Sequence, residues 1–280
     1  SMIITNDVAL LTFVPFAIVL LSGTSGFLLL YTVVLQTLAA NLGSMITPIG
    51  NPQNIFLFSK MPLGTVQFMK ILFPYTSLSF VLLIFSTLII KNEKTQIEQQ
   101  EAKAESTSCA GKNILYTALF ILCLLSVADV VPKWAAAVLV AICVLVSDRK
   151  IFCNIDFMLL LTFTAFFIFT GNIARLESVD SFLKRITGGN EFTAGLAFSQ
   201  LISNVPATLL LHPFAQNTKD LLLGVDIGGL GTPVASLASL IGLKLYTQEK
   251  GGTGKFLAVF TLMNIIFLAA LCAMKAILKD

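Results

Sequence analysis

The chain has 280 residues, of which 56% are hydrophobic and 12% charged, and its mean hydropathy is +0.89. Soluble domains carry about 25% charged residues, so the composition excludes a soluble globular protein and indicates a polytopic protein of the lipid bilayer. The net charge of +3 is too small and too dispersed to indicate a nucleic-acid partner. The five cysteines show no C-x-x-C pairing, and we interpret them as small apolar residues rather than metal ligands or disulfides.

Long apolar stretches predict an all-α fold. A membrane span needs about 20 apolar residues, because each residue of a helix rises about 1.5 Å and the hydrocarbon layer is about 30 Å thick. Shorter stretches cross only when they are tilted or extended through their flanks. Four stretches are long enough and a fifth is shorter; they are 71–90, 114–131, 155–174, 256–276 and, as the shorter one, 134–146.

The order of apolar and polar stretches along the chain predicts two units joined by a polar linker. The first unit, residues 1–91, contains a short apolar arm, a helix interrupted by Gly and Pro at 27–58, and a full span. Residues 92–113 form a solvated linker rich in Lys and Glu. The second unit, residues 114–280, contains three spans, two short arms and a second interrupted helix at 219–246, followed by a last span.

The two units share sequence at corresponding places. Residues 2–17 align with residues 200–215 without a gap, and residues 41–51 align with residues 226–236. The second alignment pairs Gly43 with Gly228, Thr47 with Thr232, and Pro48 with Pro233. Paired apolar segments that are interrupted by Gly and Pro are the best sequence pointer to a transporter's binding site. An irregular backbone survives at membrane depth only where protein or a cavity surrounds it, so the breaks predict a cavity.

Asparagine stands at the centre of the first alignment, as Asn6 in one unit and Asn204 in the other. Each lies beside arms of 10 to 15 apolar residues, a length that suits a re-entrant segment better than a full span. The alternative is that each Asn only caps a buried helix, and its recurrence at equivalent positions disfavours that. About 90 residues of the second unit precede its Asn but only five residues precede Asn6, so we expect three further spans and one hairpin arm upstream of Met2.

These paired motifs resemble those of the ion transporter superfamily, which includes arsenite permeases, NhaD-type sodium/proton antiporters, citrate carriers and divalent-anion/sodium symporters. The resemblance covers nearly the whole chain. It implies two inverted repeats, each with a re-entrant hairpin tipped by an S-N-T-like sequence and a transmembrane helix broken at a Gly/Thr/Pro loop, the first repeat being incomplete here. In the symporters these tips and loops bind sodium and carboxylate. GNPQN at 50–54 is similar to the family's G-x-P-x-N element.

The resemblance implies a set of substrate- and ion-binding residues at the tips and loops, with no cofactor beyond Na⁺ or H⁺ as the coupling ion. It places sodium at Asn6, Asp7 and Asn204. The full set is Thr5, Asn6, Asp7, Gly43, Ser44, Thr47, Pro48, Gly50, Asn51, Asn54, Ser203, Asn204, Gly228, Gly229, Thr232, Pro233, Ser236 and Ser239.

Departures from the family pattern leave the substrate open. The symporters' third tip residue, a Thr, is Asp7 in one unit and Val205 in the other. ISNVPATLLL at 202–211 is closer to the arsenite permeases and antiporters, whereas TPIGNPQN at 47–54 is closer to the symporters and citrate carriers.

Three titratable residues carry alternative interpretations. A carboxylate at membrane depth costs about 2.5–3.5 kcal/mol on insertion scales and is usually functional. Asp7 therefore suits a role in binding sodium or a proton, and the alternative is a helix cap. Asp226, which aligns with Asn41, has the same two interpretations, and we favour the cap. His212 is the only histidine, and its distance from Asn204 along the chain favours a surface position over a proton relay.

Secondary active transport of an inorganic or carboxylate anion by alternating access, coupled to sodium or protons, is the predicted function. The alternatives are sodium/proton antiport, arsenite efflux, an ion channel and, more remotely, an intramembrane enzyme, for which the sequence offers no nucleophile beside a base. The expected partners are a small anion and the bilayer, with a homodimer as a further option. We expect a multi-pass plasma membrane protein. Lys and Arg are evenly distributed between the two sides and cannot orient the chain, and the resemblance implies that the linker lies in the cytoplasm.

Overall fold

A computed structural model describes residues 1–2, 5–21, 23–90, 110–127, 130–147, 149, 157–173, 176–250 and 252–278. The described residues are mainly helical and contain no β-strand, which confirms the predicted all-α class. Most of the predicted linker lies outside the described residues. Its last four residues, 110–113, belong to a helix instead, because the apolar stretch that follows extends its first turn into them.

Thirteen α-helices are present in the described part of the chain. In chain order they are α1 Asn6–Leu20, α2 Gly26–Ser44, α3 Pro52–Phe58, α4 Thr65–Leu88, α5 Ala110–Val127, α6 Lys133–Ser147, α7 Phe157–Ile173, α8 Glu177–Thr187, α9 Glu191–Ile202, α10 Asn204–Leu211, α11 Thr218–Gly228, α12 Leu237–Lys250 and α13 Thr253–Ile277. The predicted short arms correspond to α1, α9 and α10, and the predicted interrupted helices to α2 with α3 and α11 with α12.

Three of the described helices are long and apolar enough to cross a membrane, namely α2, α4 and α13. Helix α13 contains the predicted span at 256–276, and α4 covers the predicted span at 71–90 except for its last two residues. The stretches at 114–131, 134–146 and 155–174 correspond to α5, α6 and α7, whose described apolar segments are shorter. The amphipathic helix α8 was not predicted.

The chain forms two compact units. One comprises residues 1–97 and 166–280 and holds every candidate binding residue. The other comprises residues 98–165, in which α5 packs against α6.

The breaks in both interrupted helices arise from residues that cannot continue a helix. After α2, Pro48 lacks a backbone donor and Asn51 begins a new helix by accepting a hydrogen bond from the Asn54 N–H at 3.1 Å. A Cβ on Gly50 would lie 2.7 Å from the backbone carbon of Ser44, so only glycine fits there. After α11, Gly231 adopts a φ of 111°, which L side chains rarely tolerate.

A tight junction separates α9 from α10. Ser203 is the single residue between them, and its φ of 73° places a non-glycine residue in the left-handed region. Such strain persists only where the surrounding structure holds it, and it often marks a functional site. Close packing near the junction supports it: a Cβ on Gly228 of α11 would lie 2.9 Å from the Cβ of Ser199, in the last turn of α9.

Helix contacts occur in equivalent pairs. All of these helices lie in the first compact unit. Helix α1 packs against α2 of its own sequence repeat and against α12 of the other repeat, while α10 packs against α11 of its own repeat and against α3 of the other. The interrupted helices cross over in the same way, with α2 on α12 and α11 on α3. In the sequence alignment α1 corresponds to α10, and α12 to α3, so each contact has its counterpart.

Candidate functional site

Asn41, in the last turn of α2, is the centre of a polar cluster that joins the two repeats. Its side-chain oxygen accepts hydrogen bonds from Asn6 Nδ2 at 3.1 Å and from Ser236 Oγ at 3.0 Å. Its amide nitrogen donates to Ser239 Oγ at 3.3 Å. Asn6 begins α1 and Ser236 immediately precedes α12, so two helix N-termini and one helix C-terminus meet at one amide. We call these four residues the Asn41 cluster.

Asp226, in the last turn of α11, is the centre of a second cluster. Its Oδ1 accepts a hydrogen bond from Gln53 Nε2 at 3.1 Å, and the side chains of Asn51 and Asn54 also face the carboxylate. All three partners lie at the beginning of α3 in the other repeat. We call these four residues the Asp226 cluster.

The two clusters occupy equivalent places. Asn41 aligns with Asp226, and the Ser236 and Ser239 that contact Asn41 align with the Asn51 and Asn54 that face Asp226. In both clusters, the end of one repeat's interrupted helix contacts the beginning of the other repeat's second segment. The two differ in charge, since one centre is a neutral amide and the other an acid.

Both tips contact the break of their own repeat. The Asn6 N–H donates to the Gly50 carbonyl at 3.1 Å, and Ser203 Oγ donates to the Ala235 carbonyl at 3.5 Å. Gly50 and Ala235 are aligned positions. The Asn204 side chain lies against Gly229, where a Cβ would come within 2.9 Å of its Nδ2. The tips and the loops that the sequence predicts as one site are therefore in contact.

Several predicted residues support this arrangement without pointing into a cluster. Ser44 links the two halves of its own break, since its hydroxyl donates to the Asn41 carbonyl at 2.7 Å and accepts from Asn51 Nδ2 at 3.3 Å. The Thr47 hydroxyl donates to the Met2 carbonyl at 2.8 Å. The exposed Thr232 hydroxyl donates to the Gln200 carbonyl at 3.2 Å. The remaining predicted residues shape the tips and the breaks; they are Thr5, Gly43, Pro48, Gly228 and Pro233.

The acidic residues do not serve as helix caps. Asp226 lies at the C-terminal end of α11, where a carboxylate cannot accept from free helical N–H groups, so the favoured cap interpretation is wrong. Asp7 lies in the first turn of α1, but its Oδ1 is buried and accepts no hydrogen bond. The ring edge of His212 packs against Phe56, with the ring centroids 5.2 Å apart, and neither cluster includes His212.

The two clusters contain amides, hydroxyls and one acid, Asp226, but no basic side chain. Helix N-termini carry partial positive charge and C-termini partial negative charge, so this part of the molecule presents both kinds of helix end. Within the described residues, no three His, Cys, Asp or Glu side chains lie together in the manner of a metal centre. The donors suit a small anion, and the isolated acids suit a monovalent cation or a proton.

Three contributing residues were absent from the predicted set: Asn41, Gln53 and Asp226. The signal for two of them was present in the sequence, because Asn41 and Asp226 are aligned polar residues within apolar segments. Gln53 is paired with Ala238 in the alignment, so the repeat gave no indication of it.

Two interrupted helices, each contacted by a tip of its own repeat, in a chain with helices long and apolar enough to cross a membrane, are typical of a membrane transport protein. The chain belongs to the citrate transporter family, whose pattern matches residues 1–242. It is 33% identical to the uncharacterized transporter MJ0456 of Methanocaldococcus jannaschii, over 98% of this chain and 75% of that protein. It is 30% identical to the inner membrane protein YbiR of Escherichia coli, over 89% of this chain and 67% of that protein. No solved structure matches the chain.

Proposed function

We propose that the protein is a secondary active transporter that moves a small inorganic or carboxylate anion across the plasma membrane by alternating access. The observation that carries this proposal is the pair of equivalent clusters, in which each interrupted helix contacts the other repeat. Hydrogen bonds that cross between repeats have to break and reform when one repeat moves against the other. Alternating access requires such a movement around a fixed site.

The anion is proposed to bind at the Asn41 cluster. Asn6, Ser236 and Ser239 supply amide and hydroxyl groups there, and the N-termini of α1 and α12 add partial positive charge. Anions bind readily at helix N-termini for this reason. Because no basic side chain lies in the cluster, the anion is held by dipoles and is released more easily than from a salt bridge.

A coupling cation is proposed to bind beside the tips. Asp7 has a buried oxygen without a hydrogen-bond partner and follows directly on the tip residue Asn6. A fixed carboxylate repels an anionic substrate, so it suits a cation better. Sodium at Asn6, Asp7 and Asn204, or a proton on Asp7, is the proposed coupling ion, and a homodimer stays a prediction.

Solute counterflow tests the proposal. The full-length protein is reconstituted into vesicles loaded with unlabelled citrate, sulfate or arsenite, and entry of the same labelled solute is followed with and without sodium. We expect saturable entry of one anion into wild-type vesicles. Vesicles that contain the Asn6→Ala variant are the matched negative control and should show no such entry. Absence of saturable entry for every anion in the panel, from protein that is correctly inserted, contradicts the anion assignment.

Sodium/proton antiport is the second candidate. It is favoured by the two acids, Asp7 and Asp226, each of which has a buried oxygen without a hydrogen-bond partner. In the same vesicles without any anion substrate, antiport predicts that added sodium drives proton efflux, which a fluorescent pH dye detects. An anion symporter produces no such proton movement.

A further inference from the structure

Gln200, in the last turn of α9, connects the hairpin arm to the loop between α11 and α12, residues 229–236, which we call the second break. Its side-chain nitrogen donates to the carbonyls of Gly228 and Leu230, each at 2.7 Å. Its side-chain oxygen accepts from the Thr232 N–H at 2.9 Å, and its backbone carbonyl accepts from the Thr232 hydroxyl at 3.2 Å. Both ends of one amide are therefore used at the second break.

The partners fix which end of the Gln200 amide faces which group. Carbonyls only accept and a backbone N–H only donates. Exchanging the nitrogen and oxygen would place an oxygen against the carbonyls of Gly228 and Leu230, and an N–H group against the Thr232 N–H. Gln200 therefore has one satisfied orientation, in which it binds carbonyls that the end of α11 leaves without helical partners.

Glycine at position 231 makes room for this amide. A Cβ on Gly231 would lie 2.3 Å from Gln200 Oε1, so any other residue would displace the glutamine side chain. The φ of 111° at Gly231 is also one that L side chains rarely adopt. The turn and the glutamine therefore fit each other as a pair.

The first repeat has neither member of this pair. The internal alignment places Met2 at the position of Gln200 and Ile46 at that of Gly231. A methionine side chain has no N–H donor and only a weak acceptor. One of the four bonds has a counterpart, since the Thr47 hydroxyl donates to the Met2 carbonyl at 2.8 Å.

The loop between α2 and α3, residues 45–51, is the first break, and a different segment holds it. Asn54 Nδ2 donates to the Met45 carbonyl at 2.9 Å and to the Thr47 carbonyl at 3.2 Å. Asn54 belongs to α3, which follows the break, and not to the arm α1. Each tip also makes one bond to its own break, so those two bonds do not distinguish the repeats. The arm therefore holds the second break, whereas the following helix holds the first.

We propose that Gln200 is a positioning residue for the second repeat's half of the binding site, a role that rests on the proposed function. By tying the second break to α9, it fixes the position of that loop relative to the tip at Ser203 and Asn204, where α9 ends. The tip and loop of the second repeat keep one arrangement through the transport cycle, and those of the first repeat are free to separate. A preformed half lowers the cost of ordering when the anion binds.

Hydrogen–deuterium exchange tests this positioning without a transported solute. Full-length protein in lipid nanodiscs is exchanged, digested and fragmented so that single amides are resolved. In the wild type, we expect the Thr232 N–H, which donates to Gln200, to exchange more slowly than the equivalent Thr47 N–H. Equal rates at these two amides overturn the proposal, and this comparison needs no variant.

Replacing Gln200 with methionine copies the first repeat into the second. In Gln200→Met, the Thr232 N–H should exchange as fast as the Thr47 N–H. The neighbouring Gly231 N–H donates to Asn264 Oδ1 at 3.2 Å and should stay protected, which shows that the variant is folded around the break. An unchanged rate at Thr232 in this variant overturns the proposal.

The matched control is Gln36→Met. The Gln36 side chain, on α2, donates to the Phe13 carbonyl of the arm α1 at 3.3 Å. The control therefore removes an amide of the same kind from a contact between an arm and an interrupted helix, but away from both breaks. Exchange at Thr232 should not change in Gln36→Met, and a change as large as in Gln200→Met contradicts a specific role for Gln200.

Counterflow in the vesicles already described tests the role in transport. In Gln200→Met, the concentration of citrate, sulfate or arsenite that gives half-maximal entry should rise by about tenfold, which corresponds to about 1.4 kcal/mol. The maximal rate should fall much less, because the first repeat still moves, and Gln36→Met should match the wild type in both quantities. A lower maximal rate at an unchanged half-saturating concentration overturns the positioning role. Absence of entry with wild-type protein contradicts the proposed function alone, whereas an unchanged Thr232 exchange rate in Gln200→Met contradicts the positioning role alone.

Discussion

Replacing Asn41 with alanine tests whether the cluster at the end of α2 joins the repeats. The change removes the acceptor of Asn6 and Ser236 and the donor to Ser239. These three partners are 4%, 1% and 0% exposed, so in each of them the group that bonded to Asn41 loses that partner in a buried place. Such a group costs about 1–3 kcal/mol. Asn41 itself is half-buried and its removal admits some water, so we take the lower value.

At about 1 kcal/mol for each of the three groups, the free energy of unfolding of Asn41→Ala is lower than that of the wild type by about 3 kcal/mol. If the same bonds hold the substrate-binding state, the apparent affinity for the anion falls by about 100-fold, because 1.4 kcal/mol corresponds to a factor of ten. Denaturant unfolding in mixed micelles measures the first effect, and the substrate dependence of counterflow measures the second.

A matched control is Asn172→Ala. Asn172 is an exposed amide that donates to the Ile168 carbonyl one turn back on α7, at 2.8 Å. Surface substitutions of this kind change stability by about 0.5 kcal/mol or less. A loss in Asn41→Ala no larger than in this control refutes the reasoning that the cluster contributes to stability.

Three further predictions concern the tips, the helix packing and the coupling ion. Asn6→Ala and Asn204→Ala should each abolish uptake while membrane insertion persists, because each amide stands at a tip; normal transport by either purified variant removes the tips as sites. Gly224→Ala should lower the free energy of unfolding by about 1–3 kcal/mol, because the new Cβ meets the backbone of α9. Gly171→Ala is the control: its Cβ faces open space, so the variant should be neutral or more stable by up to about 1 kcal/mol. Equal unfolding midpoints for the two variants contradict the packing argument. Asp7→Asn should weaken the dependence of transport on sodium or pH more than it weakens substrate affinity. If the dependence on sodium and pH in proteoliposomes is unaltered, Asp7 does not couple transport to a cation.

Local sequence was sufficient to predict the interrupted helices. Apolar length located the arms and spans, and Gly50 and Pro48 located a break, because both act on the backbone of their own segment. Helix α8 was missed for a related reason. It is short and mainly polar, so a search for apolar runs passes over it, although Val179, Leu183 and Ile186 recur at helical spacing.

Partners across the repeats were not predictable in the same way. Asn41 and Ser236 are 195 residues apart, and apolar periodicity indicates which face of a helix is buried but not which residue it meets. Only the internal alignment carried the information, since a polar residue at the same place in both repeats marks a shared environment. That argument reaches Asn41 and Asp226 but not Gln53, whose counterpart is an alanine.

The difference between the two clusters is the part of the site that repetition alone does not produce. A perfect duplication would place the same side chain at both centres, and with two amides each repeat would bind its neighbour with equal strength at every pH. Asp226 breaks that equality, because its carboxylate accepts a hydrogen bond from Gln53, whereas the Asn41 amide both accepts and donates. A transporter requires two states of similar free energy, so that binding of an ion can shift the equilibrium from one to the other. With an amide at one centre and an acid at the other, the two connections between the repeats differ in charge, so an ion bound to the acid would change only one of them.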